Sequence, residues 1–280
     1  QMATINTACH FGMERELGSI TPGRRADFIV TSSIDDLPID AVFARGECVA
    51  ENGKLLAKCP HYEWPQAVRE TVNLGKKLEH QDFVISVPKG LSSVKAKVIG
   101  VIENQAPTKA LEFDLPVEQG KVRVEGDVCY LSLVERHRGT GAVVNGFVSG
   151  FGYTGSMAIA SSVAHDSHHM IVVGTNQEMM ASAANRLGEI GGGVSVWKDG
   201  SEVALVELPI AGLMSDSKAS EVAVKAQAIV AAMIDCGCTL NNAYMQHTLL
   251  ALVVIPELRI SDLGLVDVNR FELTEIIKDS

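Results

Sequence analysis

The sequence lacks the features of several classes of protein. It contains no run of five basic residues, and 24 Lys and Arg against 34 Asp and Glu leave a formal net charge of −10. A nucleic-acid backbone or an acidic membrane surface is therefore not expected as a partner. The apolar runs are short and are interrupted by glycine, proline or charged residues, so no segment is predicted to span a membrane.

Cysteine is scarce, and no two cysteines have the Cys-x-x-Cys spacing. The six are scattered along the chain as Cys9, Cys48, Cys59, Cys129, Cys236 and Cys238. In a chain of this length we expect reduced thiols and a cytoplasmic protein. Cys236-Gly237-Cys238 is predicted to end a helix, with Gly237 in the turn that follows.

The 280 residues are enough for one large or two ordinary domains. Residues 1–13 are predicted as a helix, and the short strands that follow include a hairpin through Arg45-Gly46. Residues 59–65 are rich in turn formers, so we expect domains over 1–58 and 59–280. The first helix has no N-cap and begins at Gln1 rather than at a methionine, so we expect the chain to be part of a longer protein.

The second region is predicted to be α+β. Strands follow one another and the helices come later, which favours α+β over a doubly wound parallel sheet. The predicted elements are strands over 95–102, 111–117, 128–134, 142–148 and 157–160, helices over 176–190 and 217–236, and a hairpin through Lys198-Asp-Gly200.

One polar segment, His165-Asp-Ser-His-His169, lies between two apolar runs that read as buried strands. An unpaired buried polar group costs about 1–3 kcal/mol, so a metal, a substrate or a hydrogen-bond network is expected to satisfy these side chains. An extended backbone would place Asp166 and His168 on one face, which suits substrate binding or proton transfer. A helical turn would instead gather three imidazoles, which suits a metal.

Two sets of motifs resemble known families. Gly18-Ser-Ile-Thr-Pro-Gly-Arg-Arg-Ala-Asp-Phe-Ile-Val30 resembles the segment that follows the catalytic barrel in the amidohydrolase superfamily. A longer series closely resembles the C-terminal domain of bacterial adenine deaminases and covers about residues 2–270. Many members of that family have His-Asp-Ser-His-Asn where this chain has His169 in the last place. The series comprises Glu135–Arg138, Gly146–Gly152, the His165 segment, Ile190–Gly193, Leu208–Asp216, Val254–Glu257 and Gly264–Asp267.

The resemblance implies both a fold and an activity. The fold is the end of an amidohydrolase barrel with a small β-sandwich, followed by a mixed α+β C-terminal domain. The activity is the hydrolysis of adenine to hypoxanthine and ammonia in purine salvage, with a divalent metal (manganese, iron or zinc) in the complete enzyme. Such enzymes hold their metal on the barrel through a His-x-His pair, and this chain has none.

The same resemblance implies the partners. We expect an N-terminal barrel half that carries the metal, adenine as the substrate, and assembly into a homo-oligomer. This chain alone is expected to bind no metal.

Six residues are candidates for the site. His165, Asp166 and His168 are catalytic candidates, and Ser167, Glu135 and Arg136 are substrate-binding candidates. Glu135 and the neighbouring arginines are suited to clamping a ligand or to a salt-bridge network between domains, and the network is the favoured prediction.

Two other functions are alternatives to a part of a deaminase. The first is a non-catalytic lid or oligomerisation module, in which the His165 segment belongs to a structural hydrogen-bond network. The second is a separate metal hydrolase centred on His165, Asp166 and His168.

Overall fold

The computed structural model of the chain describes residues 1–278 and contains two compact units. The first is Gln1–Glu63, and the second begins at Trp64. The predicted division after residue 58 lies close to this boundary and stays a prediction. Within residues 1–278, no helix is both long enough and apolar enough to cross a membrane.

The first unit consists of one short helix and a four-stranded antiparallel sheet. Its elements, with the strands in spatial order, are α1 (Ile5–His10), β1 (Phe28–Thr31), β2 (Ile39–Ala44), β3 (Glu47–Glu51) and β4 (Lys54–Leu55). The hairpin through Arg45 and Gly46 is confirmed, and both residues have the positive φ angles that such a tight turn requires. The helix is shorter than the predicted residues 1–13, because no side chain caps its start and Gly12 adopts a positive φ just after its end.

Burial in the first unit is very limited. Ala8 is its one buried residue, whereas large apolar side chains such as Ile20, Ile34 and Leu55 are mostly exposed. The sheet therefore has no buried face of its own.

The second unit is built on a nine-stranded mixed sheet. Its strands are β5 (Ser93–Val101), β6 (Thr108–Glu118), β7 (Lys121–Val122), β8 (Val128–Val134), β9 (Val143–Ser149), β10 (Met157–Ser161), β11 (Met170–Gly174), β12 (Gly193–Lys198) and β13 (Ser201–Glu207). Their spatial order is β13-β12-β10-β11-β8-β9-β5-β6-β7. β5 and β9 are parallel, and the other neighbours are antiparallel. The predicted α+β class is confirmed, while the barrel end and the β-sandwich stay predictions.

This unit has few α-helices among the described residues, two of them short and two long: α2 (Gln66–Arg69), α3 (Gln177–Ile190), α4 (Ala219–Asp235) and α5 (Ala243–Leu249). α3 was predicted correctly. Asn176 accepts a hydrogen bond from the Met179 N–H at 3.1 Å at its start, and Gly191 adopts a left-handed conformation at its end.

The centre of the sheet is buried on both faces. Every residue of β8, β10 and β11 is buried. Leu131 and Leu133 of β8 face the core that contains α4, and Tyr130 and Val134 face the core that contains α3. Covering both faces explains why these strands are almost continuously apolar in sequence.

A three-stranded sheet near the end of the chain was not predicted. Its strands are β14 (Leu258–Ser261), β15 (Gly264–Asp267) and β16 (Glu272–Thr274). They are too short to show a clear alternation in sequence, and polar residues interrupt them. Leu258, Ile260 and Leu265 pack into the core on the α4 side of the main sheet.

Candidate functional site

Two loops meet where β8 pairs with β11. Val134, the last residue of β8, lies opposite Met170, the first residue of β11. Because the two strands are antiparallel, the segment that leaves β8 lies beside the segment that enters β11. We call residues 135–140 the glutamate loop and residues 165–169 the histidine loop. All six predicted site residues belong to these two loops.

Glu135 is buried and holds the glutamate loop in a tight conformation. Its carboxylate accepts hydrogen bonds from the N–H groups of His137 (2.5 Å), Arg138 (2.8 Å) and Thr140 (3.0 Å), and from the Thr140 hydroxyl (3.0 Å). Burial raises the pKa of Glu135, but these hydrogen bonds outweigh it and lower the pKa to about 2. Glu135 is therefore an ionised carboxylate whose oxygens are already satisfied.

Arg136 is 1 % exposed, and its guanidinium donates to three main-chain carbonyls. The acceptors are the carbonyl oxygens of Thr71 (3.3 Å), Ala211 (3.2 Å) and His168, which belong to three separate segments. Burial lowers the pKa of Arg136, yet a guanidinium keeps its charge at neutral pH. Arg136 thus ties the histidine loop to two other parts of the second unit.

No ion pair of Glu135 or Arg136 occurs among residues 1–278. These two residues therefore form no salt bridge within the part of the chain that the structure describes, and the predicted salt-bridge network between domains stays a prediction. Within residues 1–278, Glu135 accepts hydrogen bonds from main-chain N–H groups and the Thr140 hydroxyl, and Arg136 donates to main-chain carbonyls.

The histidine loop is neither extended nor a helical turn that gathers three imidazoles. The His168 N–H donates to the Ala164 carbonyl at 2.7 Å, and His168 has a φ of +51°. The rings of His165 and His168 meet edge to face, with centroids 5.4 Å apart. His169 lies apart from them, with its ring centroid 4.8 Å from that of His137.

The main chain of the histidine loop is held at both ends. The His165 N–H donates to the Thr248 carbonyl of α5 at 3.1 Å. His137 Nε2 lies 2.8 Å from the Ser167 carbonyl, so this nitrogen carries the proton and donates it. Arg136 donates to the next carbonyl, that of His168.

The side chains of this loop are much less engaged than its main chain. Within residues 1–278, the side chains of His165 and Asp166 form no hydrogen bond and no ion pair. Asp166 and Ser167 are exposed, and His165 is half-buried. His168 Nδ1 accepts the Ala164 N–H at 3.3 Å, which leaves the proton of its neutral ring on Nε2. Burial, His165 and Arg136 lower the pKa of His168, so the ring is neutral at pH 7.

A cavity of about 470 Å³ adjoins the two loops on the side of β14 and β15. Leu133 and Val144 form part of its apolar wall, and Glu135, His169 and Asp262 contribute polar groups. His169 Nε2 lies 3.7 Å from the Asp262 carboxylate. Burial and the neighbouring His137 lower the pKa of His169, so its ring is neutral near pH 7.

The described residues do not fit a metal ion. No three His, Cys, Asp or Glu side chains within residues 1–278 approach closely enough to bind one together. A catalytic zinc site needs three protein ligands, and His169 lies with His137 rather than with His165 and His168. No chemical step is therefore assigned to a metal held by these side chains.

Sequence reasoning overlooked His137 and Asp262 as parts of this region. His137 lies within the predicted Glu135–Arg138 motif, but nothing in the sequence shows that its ring donates to the Ser167 carbonyl. Asp262 follows β14 in a strand pair that was not predicted, so its approach to His169 had no signal in the sequence.

Comparisons with known proteins match both parts of the chain. Residues 105–272 match the adenine deaminase C-terminal domain family, and residues 1–49 match the amidohydrolase family. Proteins named adenine deaminase from Roseobacter denitrificans and Ruegeria pomeroyi are 68% and 67% identical to the chain. The adenine deaminase of Moorella thermoacetica is 42% identical.

These alignments cover 99% of this chain but only 46–47% of each relative. The chain thus spans about half the length of the curated relatives it matches. Because the C-terminal domain match covers more than half of the 280 residues, the chain belongs to the adenine deaminase C-terminal domain family.

Proposed function

We propose that this chain is the C-terminal part of a metal-dependent adenine deaminase. The reaction is adenine plus water to hypoxanthine plus ammonia: a C–O bond forms at the purine carbon that bears the amino group, and the C–N bond to that group breaks. Membership of the family supports the proposal, as do relatives up to 68% identical that carry the name adenine deaminase. A role in purine salvage and a cytoplasmic location belong to the same proposal.

The histidine loop contacts the substrate or the groups that react with it. The observation that carries this step is a contrast. The main chain is held at His165, Ser167 and His168, whereas the side chains of His165 and Asp166 form no hydrogen bond within residues 1–278. A fixed backbone that presents free imidazole and carboxylate groups suits proton transfer and hydrogen bonding to a purine edge. His168, with its proton on Nε2, adds a donor.

Glu135 and Arg136 support the loops rather than clamp the substrate. The Glu135 oxygens already accept four hydrogen bonds, and Arg136 is buried with each of its three side-chain nitrogens donating to a main-chain carbonyl. Ser167 is exposed and stays a candidate contact for the substrate.

The divalent metal (manganese, iron or zinc) belongs to an amidohydrolase barrel half that forms the other part of the enzyme. The relatives are about twice as long as this chain, which supports such a half. The first unit supports it independently, because a unit of 63 residues with one buried residue needs another surface to cover its apolar side chains.

The alternative, a lid or oligomerisation module, is supported by one feature of α4. Ile229 and Met233 bury one face of this helix, but Val224, Val230 and Ile234 on the opposite side are at least half exposed. Such an apolar surface is typical of an association interface.

The test is adenine turnover by the full-length enzyme that carries His165→Ala or Asp166→Asn. We expect kcat/KM to fall by about 10²–10⁴-fold, the usual contribution of a positioned acid or base. Thermal stability should stay unchanged, since neither side chain forms a hydrogen bond within residues 1–278. His80→Ala and Asp114→Asn, both at exposed positions, are the matched controls.

Two results would contradict the proposal in different ways. Turnover like that of the controls would remove the histidine loop from the chemistry. Intact turnover per active site combined with a smaller oligomer would favour the lid or oligomerisation module.

A further inference from the structure

Two adjacent carbonyl oxygens of the histidine loop are bound by side chains from outside the loop. Ser167 and His168 present adjacent carbonyl oxygens toward the glutamate loop. In an isolated turn these oxygens would bind water. Here each accepts a hydrogen bond from a different side chain of the glutamate loop, Arg136 for His168 and His137 for Ser167.

We propose that Arg136 and His137 are positioning residues that fix the backbone of the histidine loop, so that His165 and Asp166 keep one orientation. The inference rests on the proposed function for its consequence in catalysis. The structural part of the inference, that these two side chains hold the histidine loop in place, does not depend on the proposed function.

The geometry around Arg136 distinguishes positioning from simple charge compensation. The guanidinium reaches Thr71, His168 and Ala211, three acceptors that lie in three directions. The planar group of arginine, with five N–H donors, is suited to this, whereas a lysine ammonium presents its charge at one point. A Cβ placed on Gly212 would come within 2.8 Å of Arg136 Nη1, so the backbone there leaves just enough room for the guanidinium.

The segments that carry the other two acceptors of Arg136 are joined to each other and to Arg136. The Ala211 N–H donates to the Val68 carbonyl at 2.6 Å, and the Asn73 N–H donates to the Arg136 carbonyl at 2.8 Å. Arg69 and Asp216 form an ion pair at 2.7 Å between the same two segments. Arg136 therefore connects the histidine loop to a cross-linked part of the second unit rather than to another mobile loop.

His137 adds a contact that is easier to change. Its side chain is exposed, and within residues 1–278 the one hydrogen bond of that side chain goes to the Ser167 carbonyl. Replacing it should not threaten folding, in contrast to the buried Arg136. A glutamine at this position keeps an N–H donor at the end of the side chain, and a leucine does not.

The experiment is amide hydrogen exchange of residues 164–169 in the full-length enzyme, together with kcat/KM for adenine. The variants are Arg136→Lys, His137→Leu and His137→Gln. Leu115→Ala is the control, because Leu115 is buried on β6, three strands away from β8 in the sheet, and its loss lowers stability without touching either loop.

We expect exchange in residues 164–169 to accelerate about tenfold or more in Arg136→Lys and His137→Leu, as the loss of a hydrogen bond allows. kcat/KM should fall with it, and His137→Gln should restore both. Leu115→Ala should accelerate exchange across the second unit with no preference for these residues.

Unchanged exchange in residues 164–169, or acceleration no greater than in Leu115→Ala, would overturn the inference. A wild-type-like Arg136→Lys would show that charge alone matters and would overturn the role of Arg136. Faster local exchange with undiminished turnover would leave the positioning role standing and would refute the proposed contact of His165 and Asp166 with the reaction.

Discussion

Replacing Glu135 by glutamine removes the charge on which the glutamate loop closes. The carboxylate accepts hydrogen bonds from three main-chain N–H groups and one hydroxyl. A glutamine keeps one carbonyl oxygen but turns an NH₂ group toward N–H donors that need an acceptor. At least one part-buried donor then loses its acceptor within the loop.

The size of the effect follows from the pKa. Hydrogen bonds to the buried carboxylate hold the pKa of Glu135 at about 2, against an ordinary value of 4.5. A difference of one in pKa corresponds to about 1.4 kcal/mol, so the ionised carboxylate stabilises the folded protein by about 3 kcal/mol at pH 7. Because the pKa is lowered on folding, this contribution is complete above about pH 4.5 and is lost as the pH falls toward 2.

The assay is urea unfolding of wild type and Glu135→Gln at several pH values. We expect the free energies of unfolding to differ by about 3 kcal/mol from pH 7 to about pH 5, and the difference to shrink below about pH 4.5. Glu118→Gln is the control. Its ion pair with Arg123 lies at an exposed position and should contribute less than about 1 kcal/mol.

Two results would refute this reasoning. One is a difference between wild type and Glu135→Gln that is as large at about pH 3 as at pH 7, because a carboxylate with a lowered pKa must lose its contribution there. The other is unchanged stability with a raised KM for adenine, which would make Glu135 a substrate contact rather than a support.

Three further predictions follow from particular residues. Burial lowers the pKa of His247 to about 3, and neither ring nitrogen has a hydrogen-bond partner among residues 1–278. His247→Leu should therefore raise the free energy of unfolding at pH 7 by about 1–2 kcal/mol, measured by urea unfolding. The loss of stability between about pH 6.5 and pH 3 should also be smaller than in the wild type. A lower free energy of unfolding at pH 7 would contradict this. Gly212→Ala, at a φ of +70° and against Arg136, should cost roughly 1–3 kcal/mol in the same assay, whereas a neutral effect would show that the guanidinium can move. Limited proteolysis of the 280-residue chain should cut first within residues 1–63, where one residue is buried, and first cuts beyond Trp64 would argue against this.

Much of the second unit could be predicted from the sequence because its elements have strong local signals. β8 was predicted with the right bounds from its apolar pattern, and α3 from its periodicity between Asn176 and Gly191. The hairpin is predicted by Lys198-Asp-Gly200, because Asp and Gly tolerate the positive φ angles that such a turn requires. The structure shows these angles at Asp199 and Gly200. β14 to β16 were missed because three or four residues carry too little pattern.

The sequence predicted which residues belong to the candidate site, but it did not predict how they lie relative to one another. The sequence placed Glu135, Arg136 and the histidine loop among the candidates, yet only the pairing of Val134 with Met170 brings them together. That pairing joins strands that are not consecutive in the chain, so local reasoning could not find it. The hydrogen bonds from Arg136 and His137 to main-chain carbonyls had no signal in the sequence, because a carbonyl acceptor is present at every residue.

The most direct test of the account is adenine turnover by the purified 280-residue chain, with Mn²⁺ or Fe²⁺ supplied and bound metal measured. The account predicts no hypoxanthine and no stoichiometric metal for this chain alone, and turnover by the full-length enzyme. Turnover by the isolated chain with bound metal would contradict it, and would make His165, Asp166 and His168 a catalytic centre in their own right.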